Sequence, residues 1–229
     1  MSDVGFRINA QISRAEPSLV ARFKGLPVAN VADCMNRIAC VDPAVRPFNK
    51  SPLVGTALTV RAADGDNLMF YKAFDLARPG DVLVVAGGGT MTRAYCGEIM
   101  VRFGMKKGLA GFIVDGCIRD ADTIAGIDFP VYAKHVSPNG PFKNGPGEIG
   151  YPVSFAGQVI HPGDIILGDG DGLLAIRPHE AESVLREAIA VGEKETKIMA
   201  DIEAGTFDIS WIDAVLHSKG CVLPAQDRE

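Results

Sequence analysis

Two short apolar runs, each followed by a segment of helical character, constrain the fold of this chain more than any other feature. Residues 81–86 (DVLVVA) and 109–114 (LAGFIV) each have the length of one buried strand. Helices are predicted at 92–105 and directly after Asp120, and another strand is predicted at 130–136. Strands buried on both faces and separated by helices are typical of a mostly parallel sheet with helices on its faces. The sequence therefore predicts an α/β fold.

Short elements are predicted on the N-terminal side of this core. Residues 17–38 have a helical pattern that breaks at Gly25 and Pro27, so we expect two short helices there. Residues 54–61 alternate in part between apolar and polar side chains and predict a strand. Asp66 suits the start of a helix that follows it. The strand and helix alternation thus begins well before residue 81.

The last third of the chain changes character after a loop at 137–150 that is rich in proline, glycine and asparagine. Residues 151–176 form short alternating segments separated by glycine-rich turns, which predict a β-rich layer such as a small barrel or sandwich layer. A long helix at 179–204 and a short amphipathic helix at 208–217 follow. Loops as long as 137–150 often border functional sites or interfaces.

Composition limits the classes of protein to consider. The chain has 229 residues, 47% of them hydrophobic, and carries a net charge of −5, which argues against a nucleic-acid partner. No run approaches the ~20 apolar residues that span a bilayer, and the N-terminal segment lacks a signal-peptide pattern. We expect a cytoplasmic protein with no membrane partner. We predict one domain over residues 1–229, with a helical extension at about 179–217.

The five cysteines support neither a disulfide framework nor a zinc site, because their count is odd and no CxxC pair is present. Cys117 lies within the stretch of sequence that is richest in candidate functional residues. The histidine nearest to it in sequence, His135, belongs to no recognisable catalytic motif. We interpret Cys117 as a small apolar residue beside a site, and not as a nucleophile.

Three consecutive glycines, Gly87 to Gly89, lie between a predicted strand and a predicted helix. They match neither the phosphate-binding loop, which needs a lysine after the last glycine, nor the dinucleotide-binding fingerprint. Adjacent glycines let the backbone approach a ligand closely, and the N-terminus of a helix attracts an anion such as a carboxylate. A tight turn without any ligand explains the pattern equally well.

The tripeptide Pro-Gly-Asp occurs twice directly before an apolar run, and it ends at Asp81 and at Asp164. In both places Pro-Gly supplies a tight turn that leads into a strand. We interpret both aspartates as structural.

The stretch 114–120 (VDGCIRD) lies at the carboxyl end of a predicted strand, where ligands of open α/β sheets gather. Arg119 offers a planar, permanently charged fork that suits a carboxylate. Asp120 is a hard oxygen ligand of the kind that Mg²⁺ or Mn²⁺ prefers. Asp120 and Asp122 equally suit the start of a helix, as N-cap and first-turn residue. The spacing alone leaves both roles open.

Glu98 is the second carboxylate of interest, on the helix predicted after the three glycines. An ion pair with Arg102, four residues further on, is the commoner explanation for a glutamate in this position. A place in a functional site is the alternative.

Gly97-Glu98, a spacer of 20 residues, and Arg119-Asp120 together resemble the signature of the class II 4-hydroxy-4-methyl-2-oxoglutarate aldolases. Those enzymes also cleave 4-carboxy-4-hydroxy-2-oxoadipate, and they share a superfamily with the RraA-like regulators of ribonuclease E. The resemblance covers about residues 25–200 and is strongest at 64–66, 81–90, 111–122 and 161–176. It implies a layered α/β/β/α swivelling domain with C-terminal helices.

The resemblance also implies a divalent metal, Mg²⁺ or Mn²⁺. Asp120 would bind the metal directly, and Glu98 would hold a metal-bound water. The family usually has aspartate where this chain has Glu98. Asp122 would belong to the outer acidic residues of the site.

A small 2-oxo acid is the implied substrate. Arg119 would contact its carboxylate or carbonyl oxygen. Gly97, Glu98 and the backbone N–H groups of Ile99 and Met100 would line the same place.

Family members assemble as trimers or hexamers, which implies a homo-oligomer here. A glutamate from the C-terminal helix of a neighbouring subunit completes their site. Glu195 or Glu193 would fill that place in this chain.

The implied activity is cleavage of a 4-hydroxy-2-oxo acid to pyruvate through a metal-stabilised enolate. Decarboxylation of oxaloacetate is a natural companion activity, because it passes through the same enolate. The alternative is an RraA-like protein-binding regulator of ribonuclease E without catalysis. Such regulators tend to end near the point where residue 179 lies here, so the added C-terminal helices favour the enzyme.

Overall fold

A computed structural model of the chain describes residues 3–223. The strands are β1 (Phe6–Ile8), β2 (Arg46–Pro47), β3 (Leu53–Ala62), β4 (Asp81–Cys96), β5 (Gly111–Ile118), β6 (Val131–Val136), β7 (Gly147–Ile149), β8 (Val153–Phe155), β9 (Gln158–Ile160), β10 (Ile165–Gly168) and β11 (Leu173–Ile176). The helices are α1 (Pro17–Ala21), α2 (Val28–Cys34), α3 (Leu68–Ala73), α4 (Glu98–Lys106), α5 (Ala121–Ala125), α6 (Ala181–Ala204) and α7 (Trp211–Ser218).

The core of the fold is a mixed sheet with the strand order β1-β7-β3-β4-β5-β6-β2. Strands β3, β4, β5 and β6 run parallel to one another, which confirms the predicted parallel core. Strand β10 pairs antiparallel with the first half of β3 and also with β11, while β8 and β9 form a separate hairpin. The short strands predicted within 151–176 are therefore present, and two of them extend the main sheet.

Both faces of the parallel strands are buried, because successive side chains of a strand point to opposite sides. In β4, Leu83 and Val85 pack in the core that contains α3 and α4. Val82 and Val84 pack in a second core on the other face, which includes residues of β8 and β9. The parallel strands thus lie between two apolar layers, as expected for an α/β fold of this class.

The helix predicted at 92–105 begins later than the sequence indicated, at Glu98. After Ala86, strand β4 continues in an irregular path on which Thr90, Ala94 and Cys96 still pair with β5. The three glycines therefore lie inside an irregular strand and do not precede a helix. The predicted helix start near Thr92 is wrong, because this pairing carries the strand on to Cys96.

The chain divides into two compact units, the first ending at Ile189 and the second beginning at Ala190. The second unit contains the last part of α6 and all of α7, and none of the residues of α7 is buried. The prediction of one domain over the whole chain stays a prediction. Among residues 3–223, no helix is both long and apolar enough to cross a membrane.

Asp81, at the first position of β4, is held in a buried ion pair. Its side chain is 1% exposed, and its two carboxylate oxygens accept hydrogen bonds from Arg14 Nε (2.8 Å) and Nη2 (2.7 Å). The Arg78 N–H also donates to Oδ2, at 2.8 Å. These contacts support the structural interpretation of Asp81, since they close the turn at 78–81 and tie it to the N-terminal segment.

Replacing Asp81 with alanine should lower the free energy of unfolding by about 3 kcal/mol or more, because Arg14 would be left charged and largely buried without a partner. Urea denaturation measures this change. Asp33→Ala is the matched control, since Asp33 pairs with Arg37 at the surface and should have little effect. An Asp81→Ala variant as stable as the control would refute the structural role.

Candidate functional site

Asp120 lies directly after β5 with a left-handed backbone, at φ 59° and ψ 35°. It occupies the N-cap position of α5, but its side chain makes no capping hydrogen bond to that helix. Its Oδ2 instead accepts a hydrogen bond of 2.9 Å from the Glu98 N–H, at the start of α4. The N-cap role considered for Asp120 is therefore wrong for its own helix. The carboxylate caps a different helix, 22 residues earlier in the chain.

Gly97 allows this contact because it has no side chain. A Cβ at this position would collide with Asp120 Oδ2 and would lie 2.8 Å from Arg119 Cγ. The backbone of Gly97 is extended, with φ at −153°, so the requirement is one of space and not of conformation. Close packing of Gly97 against Asp120 brings the end of β5 to the start of α4.

Arg119 shares this site with Asp120. Its Nε lies 3.8 Å from Asp120 Oδ2, and both side chains are partly exposed, by 43% and 40%. The Arg119 N–H donates to the Cys96 carbonyl at 2.9 Å, which fixes the backbone beside the end of β4. The two neighbouring residues face one space in a loop, as the sequence predicted.

Glu98 is both a member of an ion pair and a neighbour of Asp120. Its Oε1 accepts a hydrogen bond of 2.6 Å from Arg102 Nε, which is the pair that the spacing indicated. Its backbone N–H is the group bound by Asp120. The ion pair with Arg102 is therefore confirmed, Oε2 lies outside that contact, and a place for Glu98 in a functional site stays a prediction.

Two adjoining depressions carry the predicted residues. Glu98, Arg119, Asp120 and Asp122 line a cavity of about 450 Å³ together with Ser137. A narrower cleft of about 50 Å³ on the other side of Arg119 and Asp120 is lined by Gly97, Ile99, Met100, Asn67 and Lys143, among others. The structure thus brings all the predicted residues of the first unit to one region.

The first turn of α4 presents its N–H groups to this region. The Met100 N–H donates to the Gly97 carbonyl at 3.1 Å, so it is engaged. Ile99 is largely exposed, and its N–H precedes the first N–H of α4 that donates to the Gly97 carbonyl. Of the two backbone donors expected at the site, Ile99 is therefore the better placed.

Glu193 and Glu195 lie on the part of α6 that belongs to the second unit, and both are exposed. Their role in the site of a neighbouring subunit stays a prediction.

Two residues of the cleft were missed at the level of sequence. Lys143 adds a second cation to the side of the cleft that faces Arg119. Asn67 is buried, and its Nδ2 donates to the Tyr95 carbonyl at 2.8 Å, while no hydrogen bond to its Oδ1 is found among residues 3–223. The length and composition of the loop at 137–150 were the one signal that could have pointed to Lys143.

The segment that carries Lys143 is anchored to the start of α3. The Phe142 N–H donates to the Gly65 carbonyl at 2.8 Å, and the Phe142 carbonyl accepts from Asn67 N at 3.0 Å. The buried carboxylate of Asp66 accepts from the N–H groups of Asn144 and Gly145. These hydrogen bonds therefore hold in place the loop that carries Lys143.

The thiols near the site are poor nucleophiles. Burial, with a smaller effect of Asp120, raises the pKa of Cys96 to about 12. Burial also raises the pKa of Cys117, which is fully buried. Both thiols stay protonated at neutral pH, in agreement with the interpretation of Cys117 as a small apolar residue.

The donor set around Asp120 fits a magnesium-type ion. Within residues 3–223, no group of three histidine, cysteine, aspartate or glutamate side chains is arranged to hold a metal. Mg²⁺ typically keeps several waters and takes only one or two protein carboxylates. The partly exposed carboxylate of Asp120, with Glu98 beside it, suits such an ion and does not suit a closed structural site.

Asp66→Ala should loosen the loop that carries Lys143. The amides of Asn144 and Gly145 would lose a charged acceptor, and their hydrogen exchange should accelerate by about tenfold to a hundredfold. Hydrogen exchange read by NMR measures this effect. Asp64→Ala is the control, because Asp64 is two residues away and exposed. Equal exchange in the two variants would contradict the anchoring role of Asp66.

Comparison with known proteins agrees with the family indicated by the sequence. The family model described as "RraA-like: Aldolase/RraA" matches residues 28–175. A protein of Halalkalibacterium halodurans named "Putative 4-hydroxy-4-methyl-2-oxoglutarate aldolase" is 36% identical over 178 residues, which cover 77% of this chain and 85% of that protein. A protein of Ectopseudomonas mendocina with the same name is 38% identical over 137 residues, 60% of this chain and 85% of its own length.

Solved structures share the fold. The structure described as the RNA-processing inhibitor RraA from Thermus thermophilis is 28% identical, with a TM-score of 0.61, over 66% of this chain and 92% of that one. An uncharacterised protein from Pseudomonas syringae is 24% identical, with a TM-score of 0.75, over 84% of this chain and 96% of that one. The predicted fold class is thereby confirmed, and the chain belongs to the RraA-like (Aldolase/RraA) family.

Proposed function

We propose that this chain is a divalent-metal-dependent aldolase that cleaves 4-hydroxy-4-methyl-2-oxoglutarate, or a related 4-hydroxy-2-oxo acid, to release pyruvate. The observation that carries the proposal is the convergence of Arg119, Asp120 and the N-terminus of α4 on one open cleft. The names of the two curated relatives support the same reaction class. A cytoplasmic location and a homotrimer or homohexamer belong to the proposal.

The reaction moves negative charge onto the 2-oxo oxygen. The bond between C3 and C4 breaks, its electron pair passes into the enolate of pyruvate, and the C4 hydroxyl loses its proton as C4 becomes a carbonyl carbon. The enolate is then protonated at C3. Asp120 directly, and Glu98 through a water, would hold a divalent cation such as Mg²⁺ or Mn²⁺, which would withdraw electrons from the 2-oxo oxygen.

Arg119 and the first turn of α4 bind and orient the substrate. The guanidinium of Arg119 places a permanent positive charge beside the carboxylate or the 2-oxo oxygen, where charge develops. The Ile99 N–H offers a donor at a helix N-terminus, where anions are favoured. The backbone at both ends of the site is held before the substrate arrives, because the Arg119 N–H donates to the Cys96 carbonyl and the Glu98 N–H donates to Asp120.

Glu98 is the candidate for moving the proton of the C4 hydroxyl. Arg102 holds Oε1, so that Oε2 is left to accept a proton through a water. No lysine has to form a Schiff base in this scheme. Oxaloacetate would lose CO₂ to give the same enolate, so decarboxylation is proposed as a side activity.

A non-catalytic, protein-binding regulator of ribonuclease E is the second candidate. The similarity to the RraA structure from Thermus thermophilis favours it. A regulator requires neither a metal nor turnover, whereas the proposed aldolase requires both.

The proposed function is tested by pyruvate release from 4-hydroxy-4-methyl-2-oxoglutarate and from oxaloacetate, coupled to lactate dehydrogenase. We expect turnover with Mg²⁺ or Mn²⁺, loss of turnover with EDTA, and recovery when the metal is restored in excess. Turnover that persists through chelation would refute the metal-dependent mechanism. No turnover with either substrate would favour the regulator.

Asp120→Asn separates the capping role from the metal-binding role. Asparagine retains an oxygen that accepts the Glu98 N–H, so the fold and the start of α4 should persist, while the charge that attracts the metal is lost. We expect kcat/KM to fall by about a thousandfold, in line with several kcal/mol of transition-state stabilisation.

Asp128→Asn is the control for that variant, because Asp128 is an exposed aspartate that bonds Ser51 away from the cleft. Its kcat/KM should stay at the wild-type level. Full activity in Asp120→Asn would leave only the cap as the role of Asp120.

A further inference from the structure

A second cavity, separate from the cleft of Arg119 and Asp120, lies at the irregular part of β4. It has a volume of about 850 Å³, and it shares no lining residue with the cleft or its adjoining depression. Ala86, Val153 and Ala156 of its wall belong to the core that includes β8 and β9. The cleft is lined instead by members of the core with α3 and α4, such as Met100. The two spaces therefore open over different faces of the sheet.

Tyr95 forms part of the partition between the two spaces. Its hydroxyl donates to the Gly87 carbonyl at 2.9 Å and accepts from the Gly65 N–H at 3.0 Å. A Cβ at Gly87 would collide with the Tyr95 ring. The partition is thus closely packed, and the second cavity is not an extension of the cleft.

A buried ion pair forms the floor of this cavity. Lys134 Nζ lies 2.7 Å from Asp115 Oδ1, and the side chains are only 18% and 7% exposed. Asp115 Oδ2 also accepts a hydrogen bond from the Ala156 N–H at 3.4 Å. An ammonium has three N–H donors, and no hydrogen bond to Asp115 Oδ1 is found among residues 3–223, so Lys134 has donors to offer to a ligand.

The glycines that the sequence singled out keep this floor open. Gly88 and Gly89 have φ values of 69° and 75°, which favour glycine. A Cβ at Gly89 would lie 3.2 Å from Lys134 Nζ, and one at Gly88 would enter open space. A side chain at either position would therefore crowd the ion pair or enter the cavity.

The rim of the cavity carries both positively and negatively charged side chains. Arg61 and the carboxylates of Asp42 and Asp64 line the cavity, together with the hydroxyl groups of Thr90 and Ser154. With the floor included, three carboxylates face two cations, so one negative charge is in excess. The excess of negative charge disfavours an anionic ligand, and the density of charged side chains disfavours an apolar ligand.

The geometry points to a binding site for a neutral polyhydroxylated molecule, of the class of monosaccharides and polyols. Each hydroxyl group both donates and accepts a hydrogen bond. Neighbouring hydroxyls can donate to the carboxylates of Asp64 and Asp115 while accepting from Lys134 or Arg61. The cavity volume lies within the range typical of small-molecule sites. The site does not depend on the proposed cleavage of oxo acids.

Binding is tested on the full chain by saturation-transfer-difference NMR titrations with D-xylose, D-glucose and D-sorbitol, and with D-gluconate as the anionic counterpart. We expect at least one neutral probe to bind, and D-gluconate to bind more weakly than D-glucose. Binding by none of the neutral probes would overturn the proposal. Tighter binding of D-gluconate would overturn it in favour of an anion site.

Gly88→Asn tests the location. Asparagine tolerates a positive φ, and its side chain would project into the cavity, so binding of the neutral probe should fall by about tenfold or more. Gly25→Asn is the matched control, with φ at 83° and open space around it, outside this cavity. Equal binding in the two variants would place the ligand elsewhere.

Asp64→Asn provides a second test that carries little risk to the fold, because Asp64 is exposed. Loss of a charged acceptor should weaken binding of the neutral probe by about tenfold. If Gly88→Asn fails to fold by circular dichroism, the Asp64→Asn result decides: weaker binding supports the site, and unchanged binding overturns it.

Discussion

The hydrogen bond from the Glu98 N–H to Asp120 Oδ2 joins the two parts of the chain on which the candidate site depends. Asp120 lies two residues after the end of β5 and Glu98 begins α4, so the whole of that helix and strand lies between them in sequence. Gly97 lets them approach, and the left-handed backbone of Asp120 turns its carboxylate back toward α4. A non-glycine residue in this conformation is uncommon, and aspartate tolerates it better than most residues. The unfavourable backbone conformation is thus confined to Asp120, the residue on whose position the candidate site depends most.

Parallel strands explain why this junction can also be a binding site. The carboxyl ends of β4 and β5 meet at one edge of the sheet, where ligands of open α/β sheets gather. Strand β4 passes this edge in an irregular path, on which Gly89 lies next to Lys134 and Asp115. The cleft and the polar cavity therefore both lie at this edge of the sheet, the cleft over one core and the cavity over the other.

Much of this architecture could be predicted because the signals are local. The apolar runs at 81–86 and 109–114 indicated buried strands, and both are confirmed within β4 and β5. The start of α4 was misplaced because consecutive glycines are typical of loops, and only pairing with β5 carries the strand on to Cys96. That pairing is tertiary and leaves no periodic pattern in the sequence.

The side chains of the site likewise divide into those that the local sequence indicates and those that only tertiary contacts bring together. Arg119 and Asp120 were identified as candidates from their residue types, from their place after a predicted strand and from the family resemblance. Lys143 escaped notice because its position depends on hydrogen bonds to residues nearly 80 positions earlier, such as Asp66. Asp115 and Lys134 form their pair only because β5 and β6 are neighbours in the sheet. Partners that meet through topology cannot be found by reading along the chain.

The chemistry available to the cleft follows from how its carboxylates are already engaged. Asp120 directs one oxygen to the Glu98 N–H, and Glu98 directs one oxygen to Arg102. Each contact fixes a carboxylate through one oxygen and leaves the other for solvent or a ligand. A closed metal cage would need both oxygens and further side chains, whereas an open cleft leaves coordination positions to water and substrate. Partial engagement therefore supports the proposed aldolase site, in which the substrate would complete the coordination of the metal and Arg119 would compensate the charge that the substrate brings.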